Sequence, residues 1–230
     1  MEEIRPRAAG RKRQSSATAD RRRKAGARRG EGTSRELLLT AARREFARRG
    51  FEGARVDEIA RRAGVNKQLV YHHFGNKESL YRLVLESVYT EIREKERRLD
   101  LSNLDPTQAM RRLVEFSFDY LAGNRDFVAL LTDENVHKGR RLKQVANLQP
   151  LHSPLIEVMG QVLARGAEAG LFRPGLDPLH VYISIAGLGF FYFNNIHTLS
   201  AIFGRKFDDS DEIAVRRAHV VDLMLHGLRR

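Results

Sequence analysis

The chain has 230 residues, 42% of them apolar and 30% charged, with a net charge of +12; that size allows one or two domains with a real core, and that charge calls for an anionic partner, nucleic acid or an acidic membrane surface. The absence of cysteine excludes disulfides and thiolate metal sites. The opening MEEIRPRAAGRKR has no apolar run, so no secretory signal peptide is expected and the cytoplasm is the expected compartment.

Residues 1–32 form the first segment, a basic tail with eleven Lys and Arg against four Asp and Glu, which is seven of the net +12. It has too little apolar area to fold alone and is expected to be disordered. Two readings stay open for it: an arm that tracks DNA phosphates, or a solvated tail without a specific role. From Thr33 the apolar period becomes helical. Thr33 or Ser34 can cap a helix over about 34–49, with Leu38, Ala41, Ala42 and Phe46 on one side and Gly50 as its stop. Short helices are predicted over 56–63, ended by Gly64, and over 67–74, ended by Gly75-Asn76. A fourth runs from Lys77 to about Leu99.

Asp105-Pro106 is a cap followed by proline at the first helical position, and predicts a helix to Gly123. A shorter helix is predicted over 126–137, irregular chain over 140–149, and a helix over 154–169. Asp177-Pro178 repeats the cap-plus-proline signal and opens a long apolar helix to about Phe203; the last helix, capped by Ser210 or Asp211, reaches His226. No stretch alternates as a strand would, and no internal repeat is evident. Between Leu179 and Gly204 there is no charged residue, a length that can cross a bilayer. His180, Asn194, Asn195 and His197 interrupt it, so a buried or subunit-interface helix is expected instead.

The informative stretch is GFEGARVDEIARRAGVNKQLVYHHFGNKESLY, residues 50–81. Two short helices that cross closely need a small residue at the crossing, and Ala60 is there. Their turn needs a residue tolerant of positive φ, which Gly64 supplies. Their shared core needs apolar groups on both helices, and Ile59, Ala63, Val65 and Val70 fall at those offsets. The second helix is then free to enter a major groove.

This segment resembles the DNA-binding domain of TetR-family regulators. The resemblance rests on Phe46, Gly50, Phe51, Val56, Ile59, Ala60, Ala63-Gly64-Val65, Lys67, Tyr71, Phe74, Lys77, Glu78 and Leu80, and covers about 33–81. It implies an all-α fold: an N-terminal three-helix helix-turn-helix DNA-binding domain over 33–80, and a C-terminal helical ligand-binding and dimerisation domain over 81–230. It also implies roles for particular residues. Asn66, Lys67, Gln68 and His72 lie on the first two turns of the recognition helix, where base edges and adjacent phosphates are reached, and Gln68 can read adenine. Tyr71 and Lys77 are implied to bind phosphates. Family members often place Thr before the Val that opens the second helix. Arg55 stands there instead, so that hydroxyl cap is absent and a guanidinium can take the phosphate.

The resemblance further implies a homodimer through the last two long helices, with Ser184, Gly187 and Gly189 allowing close approach, and a pocket for a small-molecule effector. Aromatic and apolar candidates for the pocket are Phe116, Tyr120, Phe127, Leu130, Met159 and Phe190. Its polar candidates are Glu134, His137, Asn194 and Asn195; plain core packing is the competing reading for each aromatic. The stretches DENVHKGRRL and YISIAGLGFFYFNNIHTLSAIFGR resemble a branch with members that regulate catabolism of aromatic or N-heterocyclic compounds, which implies an aromatic effector. No nucleophile elbow, phosphate loop or His-Glu-x-x-His motif occurs, so neither an enzyme nor a cofactor or metal is expected. The expected function is a repressor that binds double-stranded operator DNA and is released by its effector. The alternative is an architectural protein that binds DNA of any sequence.

Overall fold

The computed structural model describes residues 13–145 and 148–230, with side chains from Thr33 onward except 146–153. The first twelve residues of the expected basic tail lie outside the described residues, as do the side chains of 13–32. Ten α-helices make the described fold: α1 Arg13–Gly53, α2 Val56–Ala63, α3 Lys67–Phe74, α4 Lys77–Arg97, α5 Pro106–Gly123, α6 Arg125–Val136, α7 Leu148–Glu168, α8 Pro178–Asn194, α9 Ile196–Phe203 and α10 Ser210–Leu228. Single 3₁₀ turns lie at Leu101–Asn103 and Leu142–Gln144. Among the described residues the only extended pairing is an isolated bridge between Phe172 and Arg229.

Most boundaries follow from local chemistry. The Asp105 carboxylate accepts from the N–H groups of Thr107 (2.9 Å) and Gln108 (3.3 Å), and Asp177 does the same for Leu179 and His180, with proline next in both helices. Asn76 caps α4 by accepting from Ser79 N–H at 2.7 Å.

Four expectations are corrected. Helix α1 starts at Arg13 rather than near residue 34, so backbone assigned to the tail continues the helix. Arg, Lys, Ala and Gln are good helix formers and no proline intervenes. The last helix is capped by Asp209, which accepts from Asp211 N–H. Pro154 lies inside α7 rather than at its start. The long apolar helix is two, α8 and α9. Asn195 leaves helical geometry (φ −109°, ψ 14°) and its side-chain amide donates to the Phe191 carbonyl at 2.8 Å, ending α8 there. Among the described residues no helix is long and apolar enough to cross a membrane.

The helices pack in two groups that share α1 and α4. Helix α1 packs on α2, α4 and α6, while α5 packs on α8 and α10. At the first junction Phe46, Phe51 and Tyr81 form an aromatic cluster, with Tyr81 edge-on to Phe46 at 4.8 Å and to Phe51 at 5.1 Å. At the second, α8 meets α5 through Gly189, where an added Cβ would lie 3.0 Å from Leu121 Cδ1. Gly189 therefore serves contact inside the subunit, and the expected dimer role does not belong to it.

Candidate DNA-binding face and effector cavity

Helices α2 and α3 are held by a small core. Ile59 and Val70 are fully buried, Ala60 nearly so, and Ala63 and Val65 pack partly buried against them. Gly64 takes the left-handed conformation (φ 68°, ψ 26°), and its N–H and that of Val65 return to the last carbonyls of α2. On the outer side of α2, Glu58 accepts from Arg61 (2.7 and 2.8 Å) and Arg62 (2.7 Å). Those guanidinium hydrogen bonds hold its carboxyl down at about 2. Arg62 also lies 3.7 Å from Glu45 of α1, which tethers α2 to α1.

The candidate DNA-reading residues lie on the exposed surface of the two-helix unit. Arg55, Asn66, Lys67, Gln68, Tyr71 and His72 are all exposed. On that surface several groups are already engaged. Asn66 caps α3, its side-chain oxygen accepting from Gln68 N–H at 2.9 Å, so only its amide nitrogen is free to donate outward. Lys67 pairs with Asp57 at 2.7 Å across the turn. Arg55 stands at the N-cap of α2 without a side-chain cap, as expected from the missing hydroxyl. Lys77 is set apart from the others. Its ammonium sits 4.7 Å over the Phe51 ring and donates to the Glu52 carbonyl at 3.3 Å, turned toward the kink near the end of α1.

That kink is a joint. Gly50 has φ 65°, ψ 175°, and the chain turns there before Phe51. Asp133 of α6 accepts from Phe51 N–H at 3.1 Å and from the Tyr81 hydroxyl at 3.0 Å. A Cβ at position 50 would lie 2.7 Å from the Asp133 carboxylate, so glycine is required both for its φ and for this approach. Two further links join α1 to α6 and the turn after it. Arg43 binds Asp126 of α6, and also Glu91 of α4 at 2.6 Å. Arg141, buried, lies 3.6 Å over the Phe51 ring and pairs with Glu52 at 2.7 Å.

The opposite face of α6 borders a cavity of about 490 Å³ between α4, α5, α6 and α8. Phe127, Leu131 and Asn135 of α6, one turn apart, face it, with Tyr89 of α4 and Tyr182 and Phe190 of α8. A hollow of that size with mostly apolar walls suits a small organic molecule. Of the ten sequence candidates the cavity brings together Phe127 and Phe190. Tyr120 lies just behind, edge-on to Phe127 at 5.5 Å. Phe116 packs on Tyr120, and Leu130 and Met159 are fully buried core.

The polar candidates are used elsewhere. Glu134 accepts from the N–H groups of Arg141 (3.2 Å) and Leu142 (2.9 Å), holding the turn that carries Arg141. His137 Nδ1 lies 2.8 Å from the Asp133 carbonyl. Asn194 bonds Thr132, and Asn195 ends α8. The charged residues of the cavity, Arg93 and Glu96 of α4, are absent from the sequence candidates. Their signal was present: they fall four residues after Tyr89 and Ile92, in phase with the buried stripe of α4, where charge is out of place. No group of three or more His, Asp or Glu able to hold a metal occurs among the described residues.

A two-helix reader with its second helix exposed, set against an all-helical body with a cavity between its helices, defines a helix-turn-helix regulator of transcription. Residues 38–84 match the family described as bacterial regulatory proteins, tetR family, and residues 106–224 match the tetracyclin repressor-like C-terminal domain. The HTH-type transcriptional repressor NicS of Pseudomonas putida is 36% identical over 197 residues, covering 86% of this chain and 93% of that one. The HTH-type transcriptional repressor KstR2 of Rhodococcus jostii is 30% identical over 148 residues, 64% of this chain and 72% of that one. The crystal structure of the regulator SCO4942 of Streptomyces coelicolor matches with a TM-score of 0.62 at 27% identity, covering 86% of this chain and 99% of that one. The chain belongs to the TetR family, and it is a DNA-binding transcriptional regulator.

Proposed function

We propose that the protein is a homodimeric, cytoplasmic, non-enzymatic repressor whose DNA-binding unit (33–80) leaves its operator when a small, aromatic molecule enters the cavity of its regulatory unit (81–230). One observation carries this reading: α6 has one face in the cavity and the other fastened to α1 at Arg43 and Phe51, with the turn after it fastened at Glu52. A ligand that shifts α6 therefore shifts the frame that holds α2 and α3, by as much as its affinity differs between the two arrangements. The relatives named as repressors support the sign of the effect.

Gln68 and His72 approach the major groove, Arg55, Lys67 and Tyr71 the flanking phosphates, and Asn66 contributes its amide nitrogen. Lys77 reaches phosphate by leaving Phe51, and the Glu52 carbonyl marks where it starts. Dimerisation is supported by an exposed apolar stripe on α8, Leu179, Ile183 and Phe191 with open space at Gly187, continued on α10 by Val215 and Leu223. A two-fold dimer sets its recognition helices ~34 Å apart, so the operator is a near-palindrome.

The test is selection of bound fragments from sheared genomic DNA at near-physiological salt. A few near-palindromic sites, released by small aromatic compounds, are expected. Recovery of fragments without sequence preference would replace this reading with that of an architectural DNA binder.

A further inference from the structure

Deep in the cavity two opposite charges are poorly matched. Arg93 and Glu96 are each 3–4% exposed. Arg93 Nη2 donates to the Tyr182 hydroxyl at 2.9 Å, and Arg93 Nη1 lies 2.6 Å from Glu96 Oε2. That ion pair is close but not aligned as a hydrogen bond: Arg93 Nη1 and Nε and Glu96 Oε2 all lack a hydrogen-bond partner. A buried guanidinium with unfilled donors is costly. Burial pushes the Glu96 carboxyl up to about 7, against the pull of Arg93, so Glu96 is a reluctant anion and a weak competitor for its partner.

The same two residues also border a second cavity of about 200 Å³, shared with Arg97, Leu101 and Leu155. The pair thus stands as a partition between two hollows. The larger one is walled by four aromatic rings, from Tyr89, Phe127, Tyr182 and Phe190.

We propose that Arg93 is the anchor for a carboxylate on an aromatic effector: the ring lies among the aromatic walls of the larger cavity, and the carboxylate displaces Glu96 from the guanidinium. A carboxylate is planar and matches the guanidinium fork with two parallel hydrogen bonds. A dianionic phosphate would add two negative charges beside Glu96 where a carboxylate adds one, and a neutral ring would leave the Arg93 donors unfilled. Displaced, Glu96 turns into the smaller cavity, which both Arg97 and Asp100 border. This inference rests on the reading of the larger cavity as the effector site, and deepens it.

The test is direct calorimetric binding to the full-length dimer of matched pairs: benzoate, 3-phenylpropionate and naphthoate against their carboxamides. Acids are expected to bind on the order of tenfold or more tightly than amides, since only they complete a charge-assisted pair. Glu96→Gln removes the competing anion and is expected to strengthen acid binding several-fold without changing amide binding. Because Arg93 variants alone leave Glu96 buried and unpaired, the paired substitution Arg93→Met with Glu96→Met is used; it is expected to abolish the preference for acids while the protein stays folded. Amides binding as tightly as acids, no acid binding at all, or a preference that survives the paired substitution overturns the proposal. Ala186→Phe, which fills the cavity, separates the two readings. If it blocks amides that bind the wild type as well as acids do, the cavity reading stands and the carboxylate fails. If acids bind it as well as they bind the wild type, the cavity reading fails.

Discussion

The DNA-facing side of α3 and the interior of the cavity both hold polar groups awaiting a partner, but under opposite conditions. Gln68, Tyr71 and His72 are in water, so their unfilled hydrogen bonds are met by solvent and the helix is stable as it stands. Arg93 and Glu96 are out of water, so their unfilled groups destabilise the arrangement that contains them. On the proposed function, the first region reads DNA as it stands, and the second is an element that a ligand relaxes. Their difference suits a switch: rigidity where sequence is read, and a shallow energy balance where the signal enters.

Between the two regions lies the joint at Gly50, and substitutions rank by how far they damage it. Phe46→Ala is expected to have the largest effect. Phe46 is fully buried against Tyr81, and its truncation should lower unfolding free energy by ~3–5 kcal/mol in urea titrations. A loss below 1 kcal/mol would mean that the aromatic cluster is not what joins α1 to α4.

Asp133→Ala comes next. It strands the Phe51 N–H and the Tyr81 hydroxyl, for an expected loss of ~1–3 kcal/mol. It should also weaken the coupling, so that effector still binds but shifts operator affinity less. Unchanged coupling would move the route away from α6.

On the DNA side, Gln68→Ala should leave stability within ~0.5 kcal/mol of wild type, since the residue is exposed. Operator affinity should fall by ~1–3 kcal/mol, with discrimination relaxed at one base position in a binding-site titration. Equal weakening on all sequences would make Gln68 a backbone contact instead.

The last effect is spread over several pH units, a slope from the cavity. With the folded Glu96 pKa raised from 4.5 to about 7, the native state binds the proton more tightly than the unfolded chain. Its contribution is therefore fully present below pH 4.5 and is lost as pH rises to about 7, by at most ~1.4 kcal/mol per pH unit. Glu96→Gln should flatten that part of the stability profile. A wild-type profile that rises across the same window after this substitution is subtracted would mean that Arg93 holds Glu96 ionised.

Local chemistry made much of the molecule legible. Asp105-Pro106 and Asp177-Pro178 announced α5 and α8, and Gly64 announced the turn between α2 and α3, because caps, proline and positive φ act within a few residues. The exposure of Gln68, Tyr71 and His72 was legible for the same reason: position on a short helix sets which side chains face outward. The cavity was not. Glu134 and His137, one turn apart, looked like a ligand pair; the fold sets Glu134 Oε2 against the Arg141 turn and His137 Nδ1 against the Asp133 carbonyl, and neither residue borders the cavity. Gly189 looked like an interface residue and instead meets Leu121.

By itself, then, the sequence determined the helices, the turn and the outward face of α3, all set by interactions between residues close along the chain. Only the tertiary structure decided which face of α6 meets α1 and which meets the cavity, and that Arg93 and Glu96 are enclosed together. Those outcomes depend on residues far apart in sequence closing off water around one another. Enclosure turns an ordinary i, i+3 charge pair on α4 into the most strained site in the cavity.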